Sequence, residues 1–377
     1  MNHIKPALSF ICLLTMALSA CAGSESEETQ STGLDYNLQD EGPFRVGYTT
    51  FETSYVAPGQ TEPRTISVYL WYPTDDVHND QAVPPTESPI YIDLFVDSDT
   101  IIDAKPTAPV YNAGYPLLAY SHGSQGVAQG SWRLMRYFAS HGWVALSVGH
   151  IGNMLVEGSG AGNTPIEHWH HRPLDISAGI DAVEALSAPE ALAGQIDTSR
   201  VLLTGHSRGA YTTWAMGGAT YDIENIQARC DGGSYPTGCT ADAVTRFGEG
   251  FLDSRIKALI PTAGSGHGEF FDNIQGRETI ELPIFMMSAT EDQVGMGDVF
   301  TNTNLSNFSW VEIDGGCHEL FNLGCGRMED SAKFPIVTTY SLAFGRHFIL
   351  DDMSDTTVGI LDQSVPVSEH VTTFMQK

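Results

Sequence analysis

Basic residues are scarce in this sequence. Its 377 residues include 18 lysines and arginines against 46 aspartates and glutamates, which gives a formal net charge of −28. Such an acidic surface repels nucleic acids and anionic membranes and favours solubility. We therefore expect no DNA or RNA partner.

Internal repeats are also lacking. No self-similarity is apparent at the periods of about 20–50 residues that are typical of solenoids and propellers, which argues against both architectures. A chain of this length is long enough to bury a continuous core.

The N terminus lacks an apolar stretch long enough to cross a bilayer. Ala7 to Ala20 is apolar but short, follows a basic start at Lys5, and ends in Leu18-Ser19-Ala20-Cys21. This pattern predicts a bacterial lipoprotein signal over residues 1–20, with Cys21 as the lipidated first residue of the mature chain. Ordinary secretion after Ala20, with Cys21 incidental, is the alternative.

Large apolar side chains are almost absent from residues 21–42, which are small and acidic. Such a segment cannot bury a core, so we expect a flexible tether followed by one folded domain over residues 43–377. The domain would lie in the periplasm or outside the cell, with the lipid anchor as its membrane contact. Alanine rather than aspartate follows the cysteine, which resembles the signal that directs a lipoprotein to the outer membrane of a diderm cell. The sequence sets no oligomeric state.

Cysteine is rare as well. Four cysteines follow Cys21, in two close pairs: Cys230 with Cys239, and Cys317 with Cys325. An exported chain meets an oxidising compartment, where short paired spacings indicate disulfides. Zinc ligation by the four is the alternative, but it lacks the support of a C-x-x-C spacing.

Strand-like and helix-like segments alternate from Tyr115 onward. They follow a β-hairpin predicted over residues 43–75 and a polar excursion over 76–114, which we expect near the rim of the active site. The alternation predicts an α/β fold with a mostly parallel central sheet and helices on both faces. The predicted strands are 116–121, 143–148, 201–204, 256–261, 283–288 and 308–313; a long loop to about His171 precedes a helix at 174–186, and further helices are expected at 131–140 and 334–349.

One pentapeptide lies at the centre of the predicted site. Gly205-His206-Ser207-Arg208-Gly209 lies between a predicted buried strand and a predicted helix, which is the context of a G-x-S-x-G nucleophile elbow. There the serine is strained at the tip of a tight turn, and the glycines prevent collisions with the neighbouring strand and helix. A chance match is the alternative in a chain with 38 glycines.

The loops after later strands contain the partners that a serine nucleophile requires. His318 follows two glycines just past the last predicted strand, and Asp292 follows the strand before it. The order Ser207, Asp292, His318 is that of the hydrolases. The less favoured candidates are Glu291 and Asp298 for the acid, and His347 and His370 for the base.

Two backbone N–H groups are candidates for an oxyanion hole. The loop after the strand at 116–121 reads His122-Gly123-Ser124-Gln125-Gly126, so the N–H of Ser124 can act together with that of Arg208. The side chain of Arg208 could meet an anionic substrate, but pairing with an acidic neighbour is the favoured interpretation.

Two further groups of residues have no assigned role. The histidines cluster around the loop after the strand at 143–148, and we expect an aromatic, polar lid or rim there rather than a metal site, since the cluster has no defined ligand spacing. The aromatic residues are expected either to line a substrate pocket or to pack in the interior. The histidines are His150, His168, His170 and His171, and the aromatic residues are Trp169, Phe270 and Phe271.

Taken together, these segments resemble an α/β-hydrolase of the platelet-activating-factor acetylhydrolase and dienelactone-hydrolase-like group, and bacterial cutinase-like polyester hydrolases are similar in layout. The resemblance implies hydrolysis of short or oxidised acyl esters through an acyl-enzyme, without metal or cofactor. It covers residues 43–350 and rests on Trp71-Tyr72-Pro73, Ser121-His122-Gly123, Ala139-Ser140-His141-Gly142-Trp143, Ile196-Asp197, Gly205-His206-Ser207 and Gly316-Cys317-His318.

The sequence departs from this group in three places. The loop after 256–261, where the mammalian acetylhydrolases have their acid, contains no carboxylate, so the acid is expected at Asp292. Arg208 and Ala210 replace the common Phe and Gly, which weakens the case for phospholipid specificity. A serine at 207, rather than a cysteine, disfavours dienelactone hydrolysis.

The expected activity is therefore that of a serine carboxylic-ester hydrolase acting on a small-molecule or lipid ester with a short, acetyl or oxidised acyl group. Two alternatives use the same triad, namely a polyester hydrolase and a peptidase. A third is a non-catalytic surface binding protein that retains the fold.

Overall fold

The computed structural model describes Met1 and residues 37–75, 82–157, 164–187, 191–271, 275–326 and 332–377. The expected signal apart from Met1, the lipidation residue Cys21 and most of the expected tether lie outside these ranges. Ser31–Lys377 forms one compact unit. Among the described helices, none combines the length and the hydrophobicity needed to cross a bilayer.

A ten-stranded sheet forms the centre of this unit. The strands of the described chain are β1 (Arg45–Tyr55), β2 (Arg64–Thr74), β3 (Ile90–Tyr91), β4 (Phe95–Val96), β5 (Thr100–Ile102), β6 (Tyr115–Ser121), β7 (Val144–Val148), β8 (Ile196–His206), β9 (Ile256–Thr262), β10 (Ile284–Ala289), β11 (Phe308–Ile313) and β12 (Val371–Gln376). Their order across the sheet is β12-β11-β10-β9-β8-β6-β7-β2-β1-β5, and β3 and β4 form a separate hairpin.

The middle of the sheet is parallel. Strands β7, β6, β8, β9, β10 and β11 run in one direction, and antiparallel β2 and β12 flank them. Every residue of β6, β7 and β10 is buried, because a parallel sheet is covered on both faces. This confirms the expected α/β class with a mostly parallel central sheet.

Helices cover both faces. The α-helices are α1 (Trp132–Ser140), α2 (Glu167–Glu184), α3 (Arg208–Met216), α4 (Ile223–Asp231), α5 (Ala241–Phe247), α6 (Met296–Asn302), α7 (Phe334–Leu350) and α8 (Asp355–Leu361). Successive residues of β6 alternate between two hydrophobic clusters: Leu117 joins Trp214 of α3, and Leu118 joins Phe138 of α1 and Tyr340 of α7. Because successive side chains of a strand point to opposite faces of the sheet, one strand contributes to the core layer on each face.

The chain changes direction across the sheet at β6. From β6 it passes through α1 to β7 on one side, whereas β8 lies on the other side of β6 and leads through α3 to β9. Helices α1 and α3 contribute to opposite clusters. The sheet therefore has a topological switch point between β6 and β8, and open α/β sheets bind ligands outside the carboxyl ends of the strands at such a point.

Helix α2 starts earlier than the sequence suggests. The predicted loop to about His171 is wrong at its end, because α2 begins at Glu167 and places His168, His170 and His171 in its first turns. Proline is tolerated best in the first turn of a helix, because it has no N–H to donate to the carbonyl four residues back. Pro173 therefore favours a helix that starts close to it. The carbonyl four residues before Pro173 belongs to Trp169, and it accepts a hydrogen bond from the Tyr211 hydroxyl at 3.0 Å instead.

Both ends of the domain add edge strands. The 43–75 hairpin is confirmed as β1 and β2, and β5 of the following excursion pairs with β1. Tyr91, also in the excursion, stacks on Trp132 with ring centroids 5.2 Å apart, so this segment packs against α1. At the opposite edge, β12 begins directly after His370 and pairs with β11.

Both expected cysteine pairs are disulfides in the structure. Cys230–Cys239 links α4 to the start of α5, with Cα atoms 5.6 Å apart, and Cys317–Cys325 closes the loop after β11, with Cα atoms 5.8 Å apart. The second disulfide begins at the residue before His318. It therefore restrains the backbone of a candidate site residue, whereas the first lies on peripheral helices.

Removing either disulfide should lower the free energy of unfolding by similar amounts. The separations are 9 and 8 residues, and closing loops of that size in the unfolded chain is worth about 2–3 kcal/mol. Urea unfolding of Cys230→Ser/Cys239→Ser and Cys317→Ser/Cys325→Ser would measure both losses. Wild-type protein under reducing conditions is the control, and an unchanged free energy in either variant would contradict the expectation.

Candidate active site

Ser207 occupies a strained turn between β8 and α3. Its φ of 56° and ψ of −114° lie outside the regions that non-glycine residues favour, at a cost of about 1–3 kcal/mol. The Ser207 N–H donates to the Thr262 carbonyl of β9 at 2.9 Å, and the Ala210 N–H donates to the Ser207 carbonyl at 2.9 Å. Neighbouring elements thus hold the serine in this conformation.

The two motif glycines permit this turn. A Cβ on Gly205 would overlap the carbonyl oxygen of Gly209, and a Cβ on Gly209 would overlap the carbonyl oxygen of Ser121 in β6. Both obstacles are backbone atoms, which cannot rotate away as a side chain can. The crowding that the sequence motif implies is therefore present on both sides of Ser207.

His318 and Asp292 meet above the ends of β10 and β11. The Nδ1 of His318 donates to Oδ2 of Asp292 at 2.9 Å. The Asp292 side chain is 4% exposed, and that of His318 is 35% exposed. The hydrogen bond to Asp292 raises the pKa of His318 against the opposing effect of burial. This contact fixes the tautomer and leaves Nε2 of His318 available for a proton from a neighbouring group.

His206 ties His318 to the nucleophile turn. Its Nε2 donates to the backbone carbonyl of His318 at 2.9 Å, and the two rings lie 4.8 Å apart between centroids. Burial lowers the pKa of His206 to about 4, so its ring is neutral at pH 7. Because His206 immediately precedes Ser207, this bond brings the loops of the two expected catalytic residues together. Sequence reasoning assigned His206 no role.

The loop after β6 reaches the same place. A Cβ on Gly123 would lie 3.2 Å from the Cβ of Ser207, so Ser124 follows a residue that packs closely against Ser207. The Gly126 N–H donates to the Gly123 carbonyl at 3.2 Å and closes a turn. The structure therefore brings the Ser124 loop to Ser207 and places Arg208 at the first position of α3.

His122 orients the peptide bond that contains the Ser124 N–H. Its Nε2 accepts the His150 N–H at 3.1 Å, so the ring proton lies on Nδ1, which donates to the Gly123 carbonyl at 2.8 Å. That carbonyl and the Ser124 N–H belong to one planar peptide unit. Fixing the carbonyl therefore fixes the direction of the N–H.

The Arg208 side chain differs from the favoured expectation. Within the described ranges it donates to the neutral oxygens of Thr164 at 2.9 Å and Asn153 at 3.4 Å, and it stacks on Trp169 at 4.7 Å from the ring centroid. Burial lowers its pKa to about 10, and the charge of Glu269 opposes this shift. The expected ion pair is replaced by two neutral hydrogen bonds and a cation–π contact.

The clustered histidines do not converge on one point. His150 donates from Nδ1 to Asp175 at 3.0 Å, with Ser121 Oγ 2.9 Å from its Nε2. His171 contacts Gln60 at 3.2 Å, and the His170 ring lies 4.1 Å from that of Phe247. Burial lowers the pKa of these histidines and of His168. The group lies within helix packing and forms no lid in the described residues.

Ser121, His150 and Asp175 form a chain of Ser–His–Asp contacts. Their exposed fractions are 0%, 1% and 0%, so no substrate can reach them. This chain supports the end of β6 from behind.

In the described part of the chain, metal-ligand spacing occurs in His206, His318 and Glu319, whose donor atoms lie within 4.8 Å of one another. His206 and His318 each already commit one ring nitrogen to a protein oxygen. A metal ion bound through Nδ1 of His318 would displace Asp292 from that nitrogen.

The three aromatic residues that the sequence left open pack in the interior. Trp169 is 4% exposed, and Phe270 and Phe271 are fully buried. Trp169 meets Tyr211 edge-on at 4.7 Å and Phe270 at 4.6 Å. Of the two interpretations, the structure supports packing for the phenylalanines, while Trp169 also supports the Arg208 side chain.

Adding one methyl group at Gly209 should disable the nucleophile turn. Gly209→Ala forces a Cβ onto the Ser121 carbonyl, and a displacement of Ser207 by about 1 Å reduces its reactivity about a hundredfold. Labelling by a fluorophosphonate, which reacts with activated serines, would measure the loss. Gly194→Ala is the control: its φ is 67° with no heavy atom within 4 Å of the added Cβ, so it costs only about 1 kcal/mol of backbone strain. Equal labelling of the two variants would contradict the crowding argument.

No protein-family model matches the chain, and no curated protein is significantly similar to it. The functional assignment therefore depends on the geometry of these side chains.

Proposed function

We propose that this protein is a serine carboxylic-ester hydrolase with an α/β-hydrolase fold, acting through an acyl-enzyme on short-chain, acetyl or oxidised-acyl esters. The observation that carries the proposal is the Nδ1–Oδ2 contact of 2.9 Å between His318 and Asp292, in a loop tied to the residue before a strained Ser207. The hydrolase fold is supported by the position of Ser207, which follows the central parallel strand β8, the neighbour of the strand β6 at which the chain changes direction across the sheet.

In the acylation step, His318 Nε2 accepts the proton of the Ser207 hydroxyl as its oxygen attacks the ester carbonyl carbon. Asp292 stabilises the imidazolium that forms. The carbonyl oxygen becomes an anion between the N–H groups of Ser124 and Arg208. Collapse of this intermediate breaks the bond to the alcohol, which leaves with the proton returned by His318.

In the deacylation step, water replaces the alcohol. His318 takes one proton from water, the resulting hydroxyl attacks the acyl carbon, and Ser207 leaves with the proton from His318. The products are the carboxylic acid and the free enzyme. The proposed steps use only groups of this chain and water.

The burial of the site supports the electrostatic part of this mechanism. Asp292 is almost fully buried and His318 is partly buried, so their interaction is screened less than one at the surface. The raised pKa of His318 makes it a stronger base and stabilises its protonated form, which must exist in both tetrahedral intermediates.

The alternatives differ in substrate rather than in fold. A polyester hydrolase or a peptidase would use the same three residues, and turnover of polymer films or of amides would identify either one. A non-catalytic binding protein would have no use for a strained serine beside a His–Asp pair. The proposed cellular location is an exported, lipid-anchored protein, with which the two disulfides are compatible.

Hydrolysis of p-nitrophenyl esters from acetate to long acyl chains would test the function directly. We expect kcat/KM to be highest for the short acyl groups and to fall by about 10⁶-fold in Ser207→Ala, because the nucleophile is lost. Folded wild-type protein that neither turns over any ester nor reacts with a fluorophosphonate would favour the binding-protein alternative.

The pH dependence should report the contact between His318 and Asp292. Only neutral His318 accepts a proton, so kcat/KM should rise with pH through a midpoint above the ordinary histidine pKa of about 6.5, because the bond to Asp292 raises that pKa. In Asp292→Asn this support is lost, so the midpoint should move to lower pH and the plateau should fall about 10⁴-fold. Asp298→Asn is the control. A midpoint that stays in place in Asp292→Asn would show that another group orients the base.

A further inference from the structure

A buried arginine lies behind the proposed oxyanion hole. Arg172 of α2 is 1% exposed. In the described residues it donates from Nη2 to the His122 carbonyl and from Nη1 to Oδ1 of Asn153, the latter at 3.2 Å. Burial and the charge of Arg208 lower its pKa to about 9. A buried cation that bonds only neutral oxygens costs stability, so its position indicates a role other than stabilising the fold.

The carboxylate that acts electrostatically on Arg172, that of Asp175, is already engaged elsewhere. Asp175 accepts two hydrogen bonds from Arg64, at 2.7 and 2.9 Å, and one from His150 at 3.0 Å. Asp175 therefore acts on Arg172 only through the electrostatic field of its charge. That field raises the pKa of Arg172, whereas burial lowers it. The Nη donors of Arg172 bond to the His122 carbonyl and to Asn153 instead.

One bond of Arg172 holds the loop of the first oxyanion donor. The His122 carbonyl bonds to Arg172, and the next carbonyl, that of Gly123, bonds to His122 Nδ1. Two successive peptide planes are thereby fixed, and the N–H at the end of the second plane is that of Ser124.

The other bond of Arg172 leads to the second donor. Oδ1 of Asn153 accepts from Arg172 at 3.2 Å and from Arg208 at 3.4 Å. Arg208 is the first residue of α3, and its own N–H is the second of the two proposed oxyanion donors. Arg172 thus connects the Ser124 loop with the start of α3 through Asn153, which is 2% exposed.

We propose that Arg172 is a positioning residue that keeps the two oxyanion donors, the N–H groups of Ser124 and Arg208, at a fixed separation. This inference rests on the proposed function. Because the donors act on the oxyanion rather than on the ground-state ester, losing Arg172 lowers kcat and leaves KM nearly unchanged.

Arg172→Met tests this role, because it keeps an unbranched side chain as far as the position of Nε and removes the guanidinium with its charge and its donors. For p-nitrophenyl acetate we expect kcat to fall about 10- to 100-fold, with KM within about twofold of wild type. Affinity for an alkylboronic acid, which forms a tetrahedral adduct with an active-site serine, should fall in proportion to kcat/KM. Arg172→Lys, which keeps the charge and one donor direction, should recover part of the loss.

Arg277→Met is the matched control. Arg277 is also buried, at 2% exposure, its pKa is also lowered by burial, to about 10, and it lies beside Trp214 and Phe271. Its removal should lower the melting temperature without changing the ratio between boronate affinity and KM. If Arg172→Met does not fold, Asn153→Ala breaks the same link through a neutral side chain and should show the same selective fall in kcat.

Five results would overturn the inference. Equal kinetic losses in Arg172→Met and Arg277→Met would show a purely structural role. A rise in KM at constant kcat, or a loss confined to esters that carry a carboxylate, would show that Arg172 binds substrate. Wild-type protein without turnover that depends on Ser207 would remove the proposed function and this inference together, whereas wild-type turnover with an unaffected Arg172→Met removes only the inference.

Discussion

The close approach of β6, β8 and α3 is the constraint on which the site depends. Gly209 lies against the Ser121 carbonyl, Gly205 lies against the Gly209 carbonyl, and Gly123 lies against Ser207. Side chains at these positions would push the three elements apart. Because they can approach so closely, the nucleophile turn and the loop of Ser124 meet at one point. The parallel sheet and its two helical layers keep that point rigid.

Buried polar groups then set the orientation of the loops. Asp175 holds His150, the backbone of His150 fixes the tautomer of His122, and His122 fixes the peptide bond before Ser124. Each step is a bond between groups with little or no access to water, where hydrogen bonds are strong and unpaired groups are costly. The interior behind the site is therefore a connected polar network, which ties the geometry of the loops to the packing of α2.

Much of the architecture could be predicted from local patterns. Buried strands are continuous apolar runs, and glycine spacing identified the turn at Ser207 and the loop at Gly123. The start of α2 could not be predicted, because the Tyr211 hydroxyl, distant in sequence, replaces the N–H that Pro173 lacks. Nor could the role of Arg172, since its partners lie 50 and 19 residues away and no spacing rule connects them.

The distribution of positive charge fits an anionic reaction intermediate. A net charge of −28 gives the surface a negative potential, which disfavours an oxyanion. Surface charges are screened within about 8–10 Å in salt, however, whereas charges in the interior are screened far less. Arg172 and Arg208 are both buried and share Asn153, next to the residues that carry the proposed donors. Two interior cations beside the proposed donors can therefore outweigh many distant carboxylates, so an acidic chain with few basic residues keeps a positive local field where the proposed oxyanion would form.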